Sequence, residues 1–202
     1  MDFKNKKIKI LLVRHGKDVP LRVSGWSDST LSVLGKEEAK KLGETIKKLN
    51  FKFDEIVSSD LPRAKETSEI LASELGLPVS YDAEFREINN GDLKNLSKEQ
   101  TKEKYPGLYF FTLKYDECYP NGESPAQFFS RVTTGFENFV NKYNDKTVIL
   151  VTHKGVIDIL MTILYKRQWS NKAMPIMHVG CGESILIDII DDDIYINDIN
   201  EL

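Results

Sequence analysis

Continuous apolar stretches alternate along this chain with apolar positions spaced three and four apart. Residues 8–13 are almost entirely Ile, Leu and Val, the pattern of a strand buried on both faces of a parallel sheet. A polar loop containing Pro20 follows. Leu34, Ala39, Leu42, Ile46 and Leu49 then recur at helical spacing and predict a helix over 34–49. Residues 53–57 read as a second strand. Ser58, Ser59 and Asp60 are expected to cap a helix that carries Pro62 in its first turn, runs to Leu75 and closes on Gly76. Residues 77–81 give a third, shorter strand signal.

Periodicity lapses between Asn89 and Pro125, where Gly91, Pro106, Gly107, Pro120 and Gly122 punctuate the chain and a short helix falls within 96–105. This segment, about 89–125, is expected to be an inserted cap. Helical spacing resumes from Ser124 through Phe128, Val132, Phe136, Phe139 and Val140, and ends in the polar turn 141–145. Residues 147–151 repeat the buried-strand pattern, with a helix following through Leu164. Residues 183–190 and 194–199 read as two strands joined at Asp191-Asp192-Asp193, a sequence for which a hairpin turn needs fewer assumptions than a calcium site. The pattern predicts a three-layer α/β/α sandwich with a mainly parallel central sheet and an antiparallel edge strand, forming one domain over 1–202.

Composition narrows the function classes. Of 202 residues 41% are hydrophobic, enough for a substantial core, and 28 Lys and Arg nearly balance 31 Asp and Glu. A net charge of −3 argues against a general nucleic-acid or polybasic membrane binder. Cys118 and Cys181 match neither a Cys-x-x-Cys redox pair nor a zinc spacing, and no apolar stretch is long enough to span a bilayer. A soluble cytoplasmic protein with free thiols is expected.

Three groups of residues emerge at the carboxyl ends of the predicted strands, where open α/β sheets bind ligands: Arg14-His15-Gly16, Ser58-Ser59 with Arg63, and Thr152-His153. One histidine after a strand is most simply a cap or a core hydrogen bond. Two at matching strand ends, each with a glycine close behind, point to a site in which an imidazole acts as nucleophile. Arg14 and Arg63 add planar forks suited to phosphate oxygens, and the first turn of a helix adds free amides around Arg63. A surface ion pair with Glu66 or Glu69 is the plainer account of Arg63. Zinc held by His15, His153 and a carboxylate is the competing constellation, but the two guanidinium groups would repel a divalent cation. His178 lacks a matching motif and reads as structural or exposed.

Val13-Arg14-His15-Gly16, Gly25-Trp26-Ser27-Asp28 with Leu31 and Gly35, and Ser58 through Thr67 together resemble the histidine phosphatase superfamily, which includes the cofactor-dependent phosphoglycerate mutases. Arg86-Glu87 before Gly91-Asp92, then Gly122-Glu123-Ser124 and Thr152-His153-Lys154-Gly155, continue the likeness in family order over nearly the whole chain. The resemblance implies that His15 is phosphorylated during turnover, that Arg14, Arg63 and His153 surround the phosphoryl group, and that Glu87 is the proton donor. A donor at Glu87 needs a raised pKa, which burial favours and nearby arginines oppose. Without the family match Glu87 reads as an exposed carboxylate beside Arg86.

Gly16, Lys17, Ser124, Thr152 and Lys154 are expected as substrate contacts, the two lysines adding positive charge for a multiply anionic substrate. Solvent exposure is the plainer role for those lysines. Lys17-Asp18, Leu93-Lys94-Asn95 and Lys154 depart from the family's common residues, and the loop from His15 to Gly25 is shorter than in many members. Tyr105, Tyr109, Phe110, Phe111, Tyr115 and Tyr119 crowd the cap, either packing it down or walling the pocket against an organic leaving group. The expected activity is metal-independent and cofactor-free hydrolysis of a small phosphorylated metabolite. A phosphoglycerate mutase and a non-catalytic phospho-ligand binder are the alternatives.

Overall fold

The computed structural model describes residue 1, residues 3–19 and residues 23–199. Pro20, in the expected polar loop, lies outside the described residues. Six strands form one sheet: β1 (Lys7–Arg14), β2 (Glu55–Ser58), β3 (Val79–Tyr81), β4 (Thr147–Thr152), β5 (Ser184–Ile190) and β6 (Asp193–Asp198), in the order β3-β2-β4-β1-β5-β6. The first four run parallel. β5 lies antiparallel beside β1, and β6 antiparallel beside β5. The expected antiparallel edge is therefore the hairpin β5–β6.

Alternation within the buried strands divides the core in two. From β1, Ile8, Ile10 and Leu12 pack on one face with residues of α4 (Pro125–Lys142) and α5 (Lys154–Leu164). Leu11 and Val13 point the other way, toward α1 (Val33–Ile46) and α2 (Pro62–Leu75). The result is the three-layer sandwich expected from the hydrophobic pattern. The helix after β1 covers one face and the helix after β4 covers the other, so the carboxyl ends of these neighbouring strands border an open crevice.

Several boundaries differ from the sequence reading. α1 ends at Ile46, and Leu49 packs against the core from the following turn. The helix after β2 does begin with Pro62 and close on a left-handed Gly76, φ 67°, but its N-cap is Leu61, without a side-chain cap. Ser58, Ser59 and Asp60 are not its caps because their side chains serve other partners: the Ser58 hydroxyl donates to the carbonyls of Ser59 and Ala64, and Asp60 pairs with Arg86. In the 89–125 segment, α3 (Lys98–Lys104) is the expected short helix. Leu93, Leu113 and Tyr119 pin this segment to the α4–α5 side of the core. At the 191–193 turn, the Asp191 and Asp192 carboxylates accept from the amides of Asn5 and Phe3, fastening the beginning of the chain.

Phe136 is 1% exposed between Phe139, stacked at 6.2 Å, and the edge of Phe3. Phe136→Ala is expected to cost about 3–5 kcal/mol through lost burial and a residual cavity. Urea denaturation of the variant and the parent protein measures the difference.

Candidate active site

His15 leaves the end of β1 with its amide donating to the Thr152 carbonyl at 3.0 Å, which joins the ends of β1 and β4. The next residue must be small, since a Cβ on Gly16 would stand 2.4 Å from the Gly35 carbonyl oxygen. The ring of His15 has two contacts, Nδ1 to the Gly16 carbonyl at 2.8 Å and Nε2 to Arg63 Nε at 3.2 Å. A carbonyl only accepts and a guanidinium only donates, so Nδ1 carries the proton and Nε2 keeps its lone pair. Burial and then the Arg63 charge push the His15 pKa down to about 3, against the Gly16 carbonyl, with Arg14 lowering it further. The imidazole is a neutral nucleophile with a defined reactive nitrogen.

Arg63, in the first turn of α2, is fully buried. Its remaining nitrogens reach the Gly25 carbonyl at 2.8 Å and the Ser27 hydroxyl at 3.4 Å. The ion pair with Glu66 or Glu69 is not formed: Glu66 accepts from the Leu31 amide, and Glu69 faces Tyr81 and Lys65. Asn90 fixes the loop that receives Arg63, donating to the Ser24 carbonyl and accepting from the Trp26 amide. Gly25 between them has φ 75°, and a Cβ there would collide with the Asn90 side chain at 2.4 Å.

His153 is the N-cap residue of α5 but makes no side-chain cap bond, so capping is not its task. Its ring lies 5.1 Å from that of His15, with Nε2 at 2.8 Å from the Ser59 hydroxyl. Burial first, then the charges of Arg63 and its neighbours, hold its pKa well below the ordinary value. Arg14 donates one terminal nitrogen to the Val179 carbonyl at 2.9 Å. Arg14 Nε and His153 Nδ1 are buried without a hydrogen-bond partner, and an oxyanion entering here would satisfy the Arg14 N–H, which otherwise carries a desolvation cost.

Glu87 follows a short 3-10 turn, Ala83–Phe85. Its carboxylate accepts from the Gly155 amide at 3.1 Å and the Ile88 amide at 3.2 Å, so it sits at the positive end of α5. Arg86 does not pair with it. Arg86 instead grips Asp60 and lies 4.6 Å from the Trp26 ring centroid. Trp26 Nε1 donates to the Glu87 carbonyl at 2.7 Å. Arg131 of α4 donates to the carbonyls of Glu84, Arg86 and Glu87 and makes a forked pair with Glu123, which also accepts from the Asn89 amide. Trp26, Asn90 and Arg131 position the site. Trp26 and Glu123 stand within the Gly25-Trp26-Ser27-Asp28 and Gly122-Glu123-Ser124 landmarks, whereas no local pattern marks Asn90 or Arg131 for that role.

The other expected contacts are distributed more widely. The Gly16 amide donates to Thr67 Oγ1, whose hydroxyl donates to the Arg63 carbonyl. The Thr152 hydroxyl is buried and donates to the Phe85 carbonyl, securing the turn before Glu87. Ser124 is the N-cap of α4, its hydroxyl accepting from the Gln127 amide in a reciprocal capping box. Lys17 is exposed, and its backbone binds Glu38 and Ser32. Lys154 pairs with Asp158 at 2.6 Å. The structure thus brings His15, Arg14, Arg63 and His153 together with Glu87 nearby, while Ser124 and Thr152 serve protein partners. Among the described residues, no group of three or more His, Cys, Asp or Glu is arranged to hold a metal ion, and no helix is long and apolar enough to cross a membrane.

Comparison with known proteins points the same way. The family model of the histidine phosphatase superfamily, branch 1, matches residues 10–201. An uncharacterised phosphatase of Bacillus subtilis, PhoE, is 32% identical over 156 residues, covering 76% of this chain and 75% of its own. Other relatives are named phosphoglycerate mutases. The mycobacterial glucosyl-3-phosphoglycerate phosphatase superposes with a TM-score of 0.76 at 26% identity, over 94% of this chain and 97% of its own. The α-ribazole phosphatase of Shigella flexneri shares the fold, with a TM-score of 0.81 at 23% identity over 94% and 95% of the two chains.

The depressed pKa of His15 has a consequence for stability. Between about pH 3 and 6.5 the unfolded chain binds a proton at this position that the native chain does not. Stability is therefore lost as pH falls through that window, by about 2 kcal/mol from pH 7 to pH 5 for His15 alone. His15→Asn is expected to lose about that much less over the same interval, as urea unfolding at the two pH values would show.

Proposed function

The chain belongs to the histidine phosphatase superfamily, and on that basis we propose that it hydrolyses a small phosphomonoester through a phosphohistidine formed at His15. The observation that carries this reading is the lone pair of His15 Nε2, fixed by the Gly16 carbonyl and Arg63, beside the unpartnered Arg14 Nε and His153 Nδ1. A phosphoryl transition state needs in-line positioning and compensation of charge spread over its oxygens. Two guanidinium groups and an imidazole gathered at buried strand ends supply both without a metal or cofactor.

In the first step the hydrogen bond from Arg63 Nε to Nε2 gives way, Nε2 bonds to phosphorus as the bond from phosphorus to the ester oxygen breaks, and Glu87 gives its proton to the departing alcohol. The phosphorylated ring carries positive charge, which the Gly16 carbonyl at Nδ1 stabilises. Glu87, now ionised, takes a proton from water as the water oxygen attacks phosphorus; the bond to Nε2 breaks and phosphate leaves. The Gly155 amide and the start of α5 stabilise the ionised carboxylate between the two steps.

Residues 1–202 act in this reading as one domain with 89–125 as its cap, and the partner is a small phosphorylated metabolite. The near balance of charge argues against a general nucleic-acid or polybasic membrane binder. Free Cys118 and Cys181 suit a cytoplasmic setting.

His15→Ala is expected to lose at least roughly a thousandfold in turnover of p-nitrophenyl phosphate. Equal rates for the two proteins would defeat the mechanism and favour a non-catalytic binder. With 3-phosphoglycerate, phosphate release should exceed isomer formation; rapid isomerisation with little release would make the protein a mutase.

A further inference from the structure

A neutral imidazole carries one ring proton, and the nitrogen that holds it decides which side of the ring donates and which accepts. At His153 the surroundings make that choice. Ser59 follows β2, and its amide donates to the Val151 carbonyl at 3.0 Å, which sets it beside the end of β4, two residues before His153. Its hydroxyl oxygen accepts from the Leu61 amide at 3.3 Å and lies 2.8 Å from His153 Nε2. Among the described residues this hydroxyl has no other hydrogen-bond partner. Ser59 and His153 are both 0% exposed, so bulk water supplies none.

Two proton arrangements fit these contacts. In one, the Ser59 hydroxyl donates to Nε2 and the ring proton sits on Nδ1. In the other, Nε2–H donates to Ser59, whose own proton is then left without an acceptor while Nδ1 presents a lone pair. The first completes a chain from the Leu61 amide through the Ser59 hydroxyl to Nε2 and leaves only the Nδ1–H unmatched. The second strands a buried hydroxyl proton as well, which carries its full desolvation penalty. The first arrangement is therefore favoured.

We propose that Ser59 is a positioning residue for phosphoryl transfer: its hydroxyl holds the His153 proton on Nδ1, which makes that nitrogen a donor to a phosphoryl oxygen. The proposal rests on the phosphatase reading and adds the residue that sets the polarity of the oxyanion site.

His153 Nδ1 is buried without a protein partner, and its ring lies 5.1 Å from that of His15. An N–H placed there meets charge developing on the phosphoryl oxygens, whereas a lone pair would repel it. Burial and the neighbouring guanidinium charges keep this imidazole neutral, so the donor has to come from the tautomer rather than from a second proton. Leu61 is the N-cap of α2, the helix that carries Arg63 in its first turn. The short segment 59–63 thus orients both rings, His153 through Ser59 and His15 through Arg63.

The first measurement is the tautomer itself. Long-range proton–nitrogen correlation spectra of the wild-type protein near neutral pH distinguish the protonated from the unprotonated nitrogen of each ring. Of the three histidines, exposed His178 is recognised by its titration, and His15→Asn removes the second set of signals, which leaves His153. His153 is expected with its proton on Nδ1, and that proton should move downfield when orthovanadate is added. Ser59→Ala should shift part of the population to Nε2–H and lower kcat for p-nitrophenyl phosphate roughly 10- to 100-fold with little change in KM, weakening orthovanadate inhibition by a similar factor. Ser59→Thr keeps the hydroxyl and should retain the Nδ1–H form and most of the turnover. A wild-type proton on Nε2 would overturn the proposal, as would a Ser59→Ala protein with unaltered kcat or one that loses activity while its tautomer stays unchanged. If Ser59→Ala does not fold, the wild-type spectrum decides alone. Should no ester turn over, the phosphatase reading fails, and the wild-type spectrum with and without orthovanadate still decides this one: an Nδ1–H that responds to the anion supports it, and an Nε2–H or an unresponsive ring overturns it.

Discussion

A buried guanidinium donating into the lone pair of a buried, neutral imidazole is the contact on which this arrangement turns. Arg63 Nε and His15 Nε2 are 3.2 Å apart, and both residues lie away from water. A protonated imidazole there would place two cations in contact at low dielectric, so burial and the Arg63 charge together keep His15 neutral. Arg63 itself pays a desolvation cost, which the Gly25 carbonyl and Ser27 hydroxyl offset in part. What remains is a crevice with positive charge, an imidazole lone pair held in a fixed direction and an unmatched guanidinium N–H. Those properties suit a tetrahedral oxyanion much better than a neutral guest.

Such a contact survives only if the surrounding backbone cannot relax away from it. A Cβ on Gly16 would collide with the Gly35 carbonyl and one on Gly35 with the Lys17 backbone, which fixes the turn after β1. Asn90 holds the Ser24–Trp26 turn from one side, while Arg131 gathers the carbonyls of Glu84, Arg86 and Glu87 from the other. Many of these restraints run from side chain to backbone. A planar fork such as that of Arg131 satisfies several carbonyls at once, where a lysine would offer a point charge without fixed directions. The turn carrying Glu87 is thus held by α4, by β4 through Thr152 and by Trp26, three elements far apart in the chain.

Legibility in the sequence followed the range of the interactions. Buried strands announce themselves locally through runs such as 8–13 and 147–151, and helices through spacing, so the layers and the strand ends bearing His15 and His153 could be read directly. Residues spent on distant partners could not. Ser58, Ser59 and Asp60 have the composition of a helix cap, yet Asp60 is taken by Arg86, 26 positions away, and Ser59 by His153, 94 positions away. Asn90 and Arg131 sit in a loop and on a helix with nothing in their neighbours to distinguish them from solvated polar residues. Ser124 shows the opposite case. Its place in the family landmark suggested a substrate contact, and its local capping box with Gln127 accounts for its hydroxyl.

The division of labour between sheet and cap follows from the same distinction. The reacting groups stand on strand ends, where hydrogen-bond ladders and two apolar layers fix position, and an imidazole displaced by an ångström would lose its alignment with phosphorus. In the proposed reading the 89–125 segment meets a weaker demand. It would present a surface to whatever alcohol the phosphate is attached to, and aromatic side chains can do this from a segment with little regular structure, provided a few clamps such as Asn171 hold them. Residues 89–125 are accordingly poor in periodicity but rich in rings, and Phe110, packed on Phe128, joins the same core that supports β1 and β4. In that reading a change of ring in this segment would alter what fits without disturbing the contact between His15 and Arg63. A change at Gly16 or Asn90 would disturb that contact whatever the substrate.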